Sequence, residues 1–148
     1  MDLNELKLKD TAVVEILHPV TGEPLGIRIT IHSSDSDVAR NMIRAQATTR
    51  LHHLRSKKRS ILTQEEVEAE GTEYLVKCTV GWEGVEENGT PLSATPENLR
   101  RVYSTPAYRW LRQQVDEAIA ERGLFFDIKP KSSSNTPGTS SDSRESTS

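Results

Sequence analysis

Gly81-Trp82-Glu83-Gly84-Val85, running on into Glu86-Glu87-Asn88-Gly89-Thr90-Pro91-Leu92, is the stretch on which the reading of this chain turns. Upstream of it, Val67, Tyr74, Leu75, Cys78 and Trp82 recur at helical spacing. The spacing predicts a helix that ends at Trp82, with Gly81 and Gly84 bracketing the end. Downstream, Asn88-Gly89 marks a tight turn inside a connection from Glu86 to Ala94. Trp82 is thus expected to be the last large apolar residue of one helix and a roof over the next.

The segments before that helix alternate between strand and helix chemistry. Thr11–Leu17 is short and β-branched, so a strand is predicted. Two prolines and two glycines between His18 and Gly26 make a turn. Ile27, Ile29 and Ile31 then alternate with Arg28, Thr30 and His32, the pattern of a half-buried strand. A lone hairpin is marginal in water, so the isoleucine face needs a cover. Ser33-Ser34-Asp35-Ser36-Asp37 offers short polar caps for a helix expected to run to about Leu54. Ala39, Ile43, Ala47, Leu51 and Leu54 form its apolar stripe. Thr63-Gln64-Glu65-Glu66 is a capping box that starts the second helix. Gly71 interrupts that helix at about 1 kcal/mol relative to alanine, which close packing against a neighbour would explain.

Beyond the turn-rich connection, Thr95-Pro96-Glu97-Asn98 starts a short helix with Leu99, Val102 and Tyr103 inward. Ser104-Thr105-Pro106 starts the last one, with Ala107, Leu111, Val115, Ala118 and Ile119 inward and Gly123 at its end. Leu124-Phe125-Phe126 follows as an apolar anchor. From Lys129 to Ser148 no aliphatic or aromatic residue occurs, so this segment is predicted to be disordered. The expected organisation is a flexible lead-in over residues 1–10, an α+β domain over 11–128 and a tail over 129–148. The domain is an N-terminal β-hairpin packed on a body of four helices.

Composition narrows the function classes. The formal net charge is −3 and there is one cysteine, Cys78. An internal disulfide is impossible, a reducing cytosol is the expected setting, and no general attraction to nucleic acid or membrane follows from charge. No signal sequence and no apolar run of about 20 residues is present, so a soluble intracellular protein without membrane contact is expected.

Candidate chemistry is sparse. His18, His32, His52 and His53 have no metal-ligand spacing, and Asp35-x-Asp37 lacks the rest of a calcium loop. Cys78 sits on an apolar helix face, as a small core residue does. No phosphate-binding glycine loop exists. Neither an enzyme, a metal nor a cofactor is expected. The basic stretch Arg40, Arg44, Arg50, Arg55, Lys57, Lys58 and Arg59 could meet phosphates, as in a small nucleic-acid-binding regulator. It has no interleaved aromatic for base stacking. Its other readings are a solvated face, a surface for an acidic partner, or a match for the acidic helix 65–73 of the same chain. Trp82, Trp110, Phe125 and Phe126 are the aromatic candidates for a partner surface. Trp110 lies beside, not on, the stripe of the last helix, and is the aromatic expected to be exposed.

The order of these pieces resembles a known family. Pro19-x-Thr21-Gly22-Glu23-Pro24-Leu25-Gly26 precedes the isoleucine strand, and Leu62-Thr63-x-Glu65-Glu66 precedes the helix before Gly81-Trp82-Glu83-Gly84. Then come Asn88-Gly89-x-Pro91-Leu92, Thr95-Pro96-Glu97-Asn98 and Pro106. Over roughly residues 11–126 this resembles the tail assembly chaperones of long-tailed bacteriophages. Ser93-Ala94 departs from the pattern, which has an aromatic just before the helix cap. The resemblance implies a non-catalytic protein that binds the tape measure protein and lets tail tube subunits assemble around it. It implies the host cytoplasm as the location and absence from the mature virion. Many members exist in a short form and a frameshifted long form. A structural minor tail protein is the neighbouring alternative, and homo-oligomerisation is open.

Overall fold

Thr11–Leu17 (β1) and Pro24–His32 (β2) form the expected antiparallel hairpin, in the computed structural model of this α+β chain. Opposed pairs Ala12–Ile31, Val14–Ile29 and Ile16–Ile27 share one face. Ile16, Ile29 and Ile31 on that face are fully buried, while Val13, Glu15 and Arg28 on the other are exposed. The hairpin finds its third strand far along the chain. Thr79–Glu83 (β3) pairs antiparallel with β2, placing Trp82 opposite Ile29 and Gly81 opposite Thr30. The expectation that Trp82 ends a helix is therefore corrected. The helix stops at Cys78, and the β-branched pair Thr79-Val80 enters the open edge of β2. Pairing with a distant strand overrides a local helical spacing.

The structure describes residues 1–126; the segment 129–148 expected to be disordered lies outside them, as do the domain's expected last residues 127–128. One compact unit is Leu8–Phe125. Met1–Lys7 and Phe126 belong to another, in which Leu3–Leu6 form one 3-10 turn capped by the Asp2 side chain.

Four helices belong to the larger unit. Asp37–Lys57 (α1) starts at Ser36, whose hydroxyl accepts from the Ala39 N–H at 3.2 Å. Its expected apolar stripe packs only at its start: Ala39 is the helix's one buried residue, while Ile43 is 52% and Leu51 58% exposed. The cause is geometric. A spacing of four overshoots a 3.6-residue turn by roughly 40°, so a line from Ala39 through Ile43 and Ala47 to Leu51 winds from the core into solvent. Gln64–Cys78 (α2) starts on the predicted capping box, with reciprocal bonds between Thr63 and Glu66. Val67, expected inward, is 53% exposed, because only the C-terminal half of α2 meets the core. Pro96–Ser104 (α3) buries Leu99, Val102 and Tyr103 as read. The last helix opens as a 3-10 turn, Pro106–Tyr108, and becomes α-helical over Arg109–Ala120 (α4). That tighter turn leaves Ala107 exposed, against expectation, while Leu111, Val115, Ala118 and Ile119 are buried. The helix ends before Gly123, which sits in a further 3-10 turn, Arg122–Phe125.

The core lies between the isoleucine face of the sheet and α2, α3 and α4. At its centre the Tyr103 hydroxyl donates to Thr79 Oγ1 at 2.8 Å, and Thr79 donates on to the Leu75 carbonyl at 2.7 Å. Burial pushes the Tyr103 hydroxyl up to about 12. Gly71 has its neighbour: a Cβ there would meet the Arg112 guanidinium at 2.8 Å. Arg112 crosses α2 at this point to donate to Thr72 Oγ1 at 2.7 Å and to the Tyr103 carbonyl at 3.1 Å.

Candidate partner-binding groove

An apolar groove of about 170 Å³ opens where β2, the Val85–Leu92 connection, α3 and α4 meet. Val102 and Leu111, both buried, belong to the core side; Ile27, Val85, Leu92 and Trp110 are half-buried along it. Exposed Tyr108 and Glu86 stand at its rim.

The connection that walls this groove is braced at each turn. Gly84 has φ +80 and packs so close that a Cβ would lie 2.1 Å from the Gly26 carbonyl oxygen. Glu86–Glu87 (β4) and Thr90–Pro91 (β5) form a miniature hairpin around Asn88 and Gly89, both at positive φ. That geometry is why the turn carries an Asn-Gly pair. The Leu92 N–H donates to the Val85 carbonyl at 2.9 Å. The Trp82 indole N–H donates to the Leu92 carbonyl at 2.7 Å, which fixes Leu92 against the groove. Arg101 of α3 clamps Glu87 bidentately at 2.9 and 2.8 Å and holds its carboxyl below the usual range. Asn98 Nδ2 donates to the Ser93 carbonyl at 2.9 Å, and Ala94 packs against the core where the family pattern has an aromatic. The wall is thus formed before anything binds, and preorganisation of this kind lowers the entropic cost of association.

The four aromatic candidates part company here. Trp110 lines the groove, half-buried rather than exposed as read. Trp82 packs on the core and acts on the groove through Leu92. Phe125 is fully buried, so it is corrected from a partner-surface candidate to a core residue. Phe126 is half-buried. Ile27, Val85, Leu92 and Tyr108 were not singled out from sequence as partner-surface residues. Val85 and Leu92 had a signal in flanking the Asn88-Gly89 turn, and Tyr108 in standing two residues before Trp110.

The basic stretch divides as well. Arg50 pairs with Glu70 at 2.6 Å, and Arg59 with Glu66 at 2.8 and 3.1 Å, so part of it does serve the acidic helix of the same chain. His53 also bonds Glu66. The Arg59 guanidinium, then the Thr63 N–H, hold the Glu66 carboxyl far below the usual carboxylate range. Glu73 pairs with Arg100 and Glu68 with Arg109, so α2 ties three helices and the 59 region together. Arg40, Arg44, Arg55, Lys57 and Lys58 remain exposed. Cys78 is fully buried, and burial pushes its thiol up to about 11. Among the described residues no cluster of three metal-ligating side chains occurs, and no helix is long and apolar enough to cross a membrane. Neither family models, curated proteins nor solved structures give a match to this chain.

Proposed function

We propose that this chain is a tail assembly chaperone of a long-tailed bacteriophage, a non-catalytic adaptor for the tape measure protein and, through it, the tail tube protein. The observation that carries the reading is the groove itself. Trp82, Gly84, Asn88, Gly89, Leu92, Asn98 and the Thr95-Pro96 helix start are the residues on which the family resemblance rests. In the structure they build and brace one apolar wall. A groove of about 170 Å³ is close to the ~150 Å³ that holds a benzene ring in an engineered protein cavity. It therefore takes one large apolar anchor, the way an amphipathic helix docks by residues repeating at three and four positions. On this reading the chain works in the host cytoplasm and leaves before the virion is complete.

Co-expression with the protein encoded immediately downstream tests the proposal. A long helical protein should become soluble and co-purify with the wild-type chain, and Trp110→Ala should reduce its recovery several-fold. Equal insoluble material with and without this chain contradicts the proposal. Mass spectrometry of purified virions separates it from a structural minor tail protein, which would be present. The nucleic-acid reading has less support, because Arg50 and Arg59 are already held by Glu70 and Glu66.

A further inference from the structure

We infer that the outer edge of β1 takes an extended segment of another protein as a fourth strand, one with lysine or arginine at every second position; this does not rest on the groove. β1 ends the three-stranded sheet, with β2 on one side alone. Its backbone groups alternate between the two sides. The Asp10 carbonyl accepts from the Ser33 N–H at 2.8 Å and the His18 N–H donates to the Glu23 carbonyl at 2.8 Å, so even-numbered residues turn to β2. Odd-numbered residues turn outward. The Lys9 N–H donates to the Phe125 carbonyl at 2.7 Å, and the Gln114 carboxamide bonds the Leu17 N–H at 2.9 Å and the Leu17 carbonyl at 2.8 Å. Gln114 thus makes the pair of bonds that a neighbouring strand would make, and both ends of the edge are closed. Between them Val13 and Glu15 turn their N–H and C=O groups outward, and none of the described residues bonds them there. Edges are commonly blunted by proline, lysine or a bulge; residues 11–16 have none of these. Beside this edge, on the core face of the sheet, runs α4. Val14, Leu17, Ala118 and Leu124 line the cleft between them, and Glu117 and Glu121 stand on it exposed. Among the described residues neither glutamate is in an ion pair.

Edge and cleft together select the occupant. The outward backbone groups require an extended chain, because a helix spends its own N–H and C=O groups internally. Side chains of an added strand alternate between the faces of the sheet. Those on the core face pass over Val14, Ala118 and Leu124 and end at Glu117 and Glu121. That path fits lysine or arginine, with an apolar stem and a charged head. Those on the other face meet Val13, 55% exposed, which fits a β-branched residue. Nucleic acid and anionic bilayers are repelled by the two glutamates. A second copy pairing edge to edge about a twofold axis would bring both α4 helices to the same face, and set Glu117 and Glu121 against their own counterparts.

Fluorescence anisotropy with short labelled peptides tests this. One alternates valine with lysine; its twin alternates valine with glutamate. The lysine peptide should bind the full chain, the glutamate twin should not, and added salt should weaken the complex. Only every second amide of an added strand faces β1. Two further lysine peptides, N-methylated at alternate sets of residues, should therefore differ: one loses binding and the other keeps it. Val13→Pro removes an outward N–H that β2 does not use, so the fold should survive, as circular dichroism checks, while affinity falls about tenfold or more. Glu117→Lys with Glu121→Lys, both at exposed positions, should weaken binding as much. Trp110→Ala should leave it unchanged. Five results overturn the inference. The lysine peptide and its twin bind alike or not at all; the two N-methylated peptides bind alike; either folded edge variant binds as wild type; Trp110→Ala abolishes binding; or sedimentation shows the free chain dimerising until Val13→Pro prevents it.

Discussion

Phe125 and Leu51 are both large apolar side chains, the first read from sequence as a partner-surface candidate and the second as part of an inward stripe, yet Phe125 is fully buried and Leu51 is 58% exposed. The difference separates two regions of the molecule. In the body, three strands and the inward faces of α2, α3 and α4 close over Ile16, Ile29, Ile31, Val115 and Phe125. In the arm, made of α1 and the first half of α2, apolar burial almost disappears and charged pairs take its place. Exposed ion pairs contribute little each, so the arm is expected to be the less stable part, opening locally before the body does.

The sharpest contrast is a pair of truncations. Phe125→Ala should cost roughly 3–5 kcal/mol in urea unfolding, while Leu51→Ala should stay within about 0.5 kcal/mol. Equal effects would erase the distinction between body and arm. Gly84→Ala is the next largest. Its positive φ and the 2.1 Å approach to the Gly26 carbonyl predict a loss of at least about 2 kcal/mol. A neutral result would mean that the groove wall is not fixed as described. Thr63→Ala removes the capping box at the start of α2 and should cost about 1 kcal/mol. Hydrogen exchange should place that loss in the arm rather than in the sheet.

Acid should reach the arm by a further, smaller effect. The Glu66 carboxyl is depressed in the folded chain by Arg59 and the Thr63 N–H. A depressed folded value contributes stability that is present above the ordinary glutamate value of 4.5 and is lost as pH falls through the folded one. Exchange in the 53–66 region should therefore quicken as pH drops below about 4.5 relative to body amides, after correction for intrinsic rates. Glu66→Gln should flatten that difference. An unchanged profile in the variant would assign the acid sensitivity to other carboxylates, such as Glu73 held down by Arg100.

What the sequence disclosed follows from the same physics. The hairpin was legible because a two-residue period has no drift: Ile27, Ile29 and Ile31 stay on one face for the length of the strand. The caps at Ser36, Thr63 and Thr95 were legible because they are local hydrogen bonds. The stripe of α1 was not, since a repeat of four slides around the helix. Nor was β3, whose partner strand lies two helices away in the chain, so that nothing near Trp82 reports the pairing. The groove was legible only as separate motifs. Trp82, Asn88-Gly89 and Leu92 each had a local reading, and folding brings them to one wall through the indole bond to the Leu92 carbonyl.

Hydrogen exchange on the complex co-purified with the downstream protein tests the central claim, that the groove is where a helical partner docks. New protection is expected at Val85–Leu92 and Tyr108–Leu111, with the β1–β2 hairpin unchanged. Protection confined to other segments, with the groove residues exchanging as in the free chain, would contradict it.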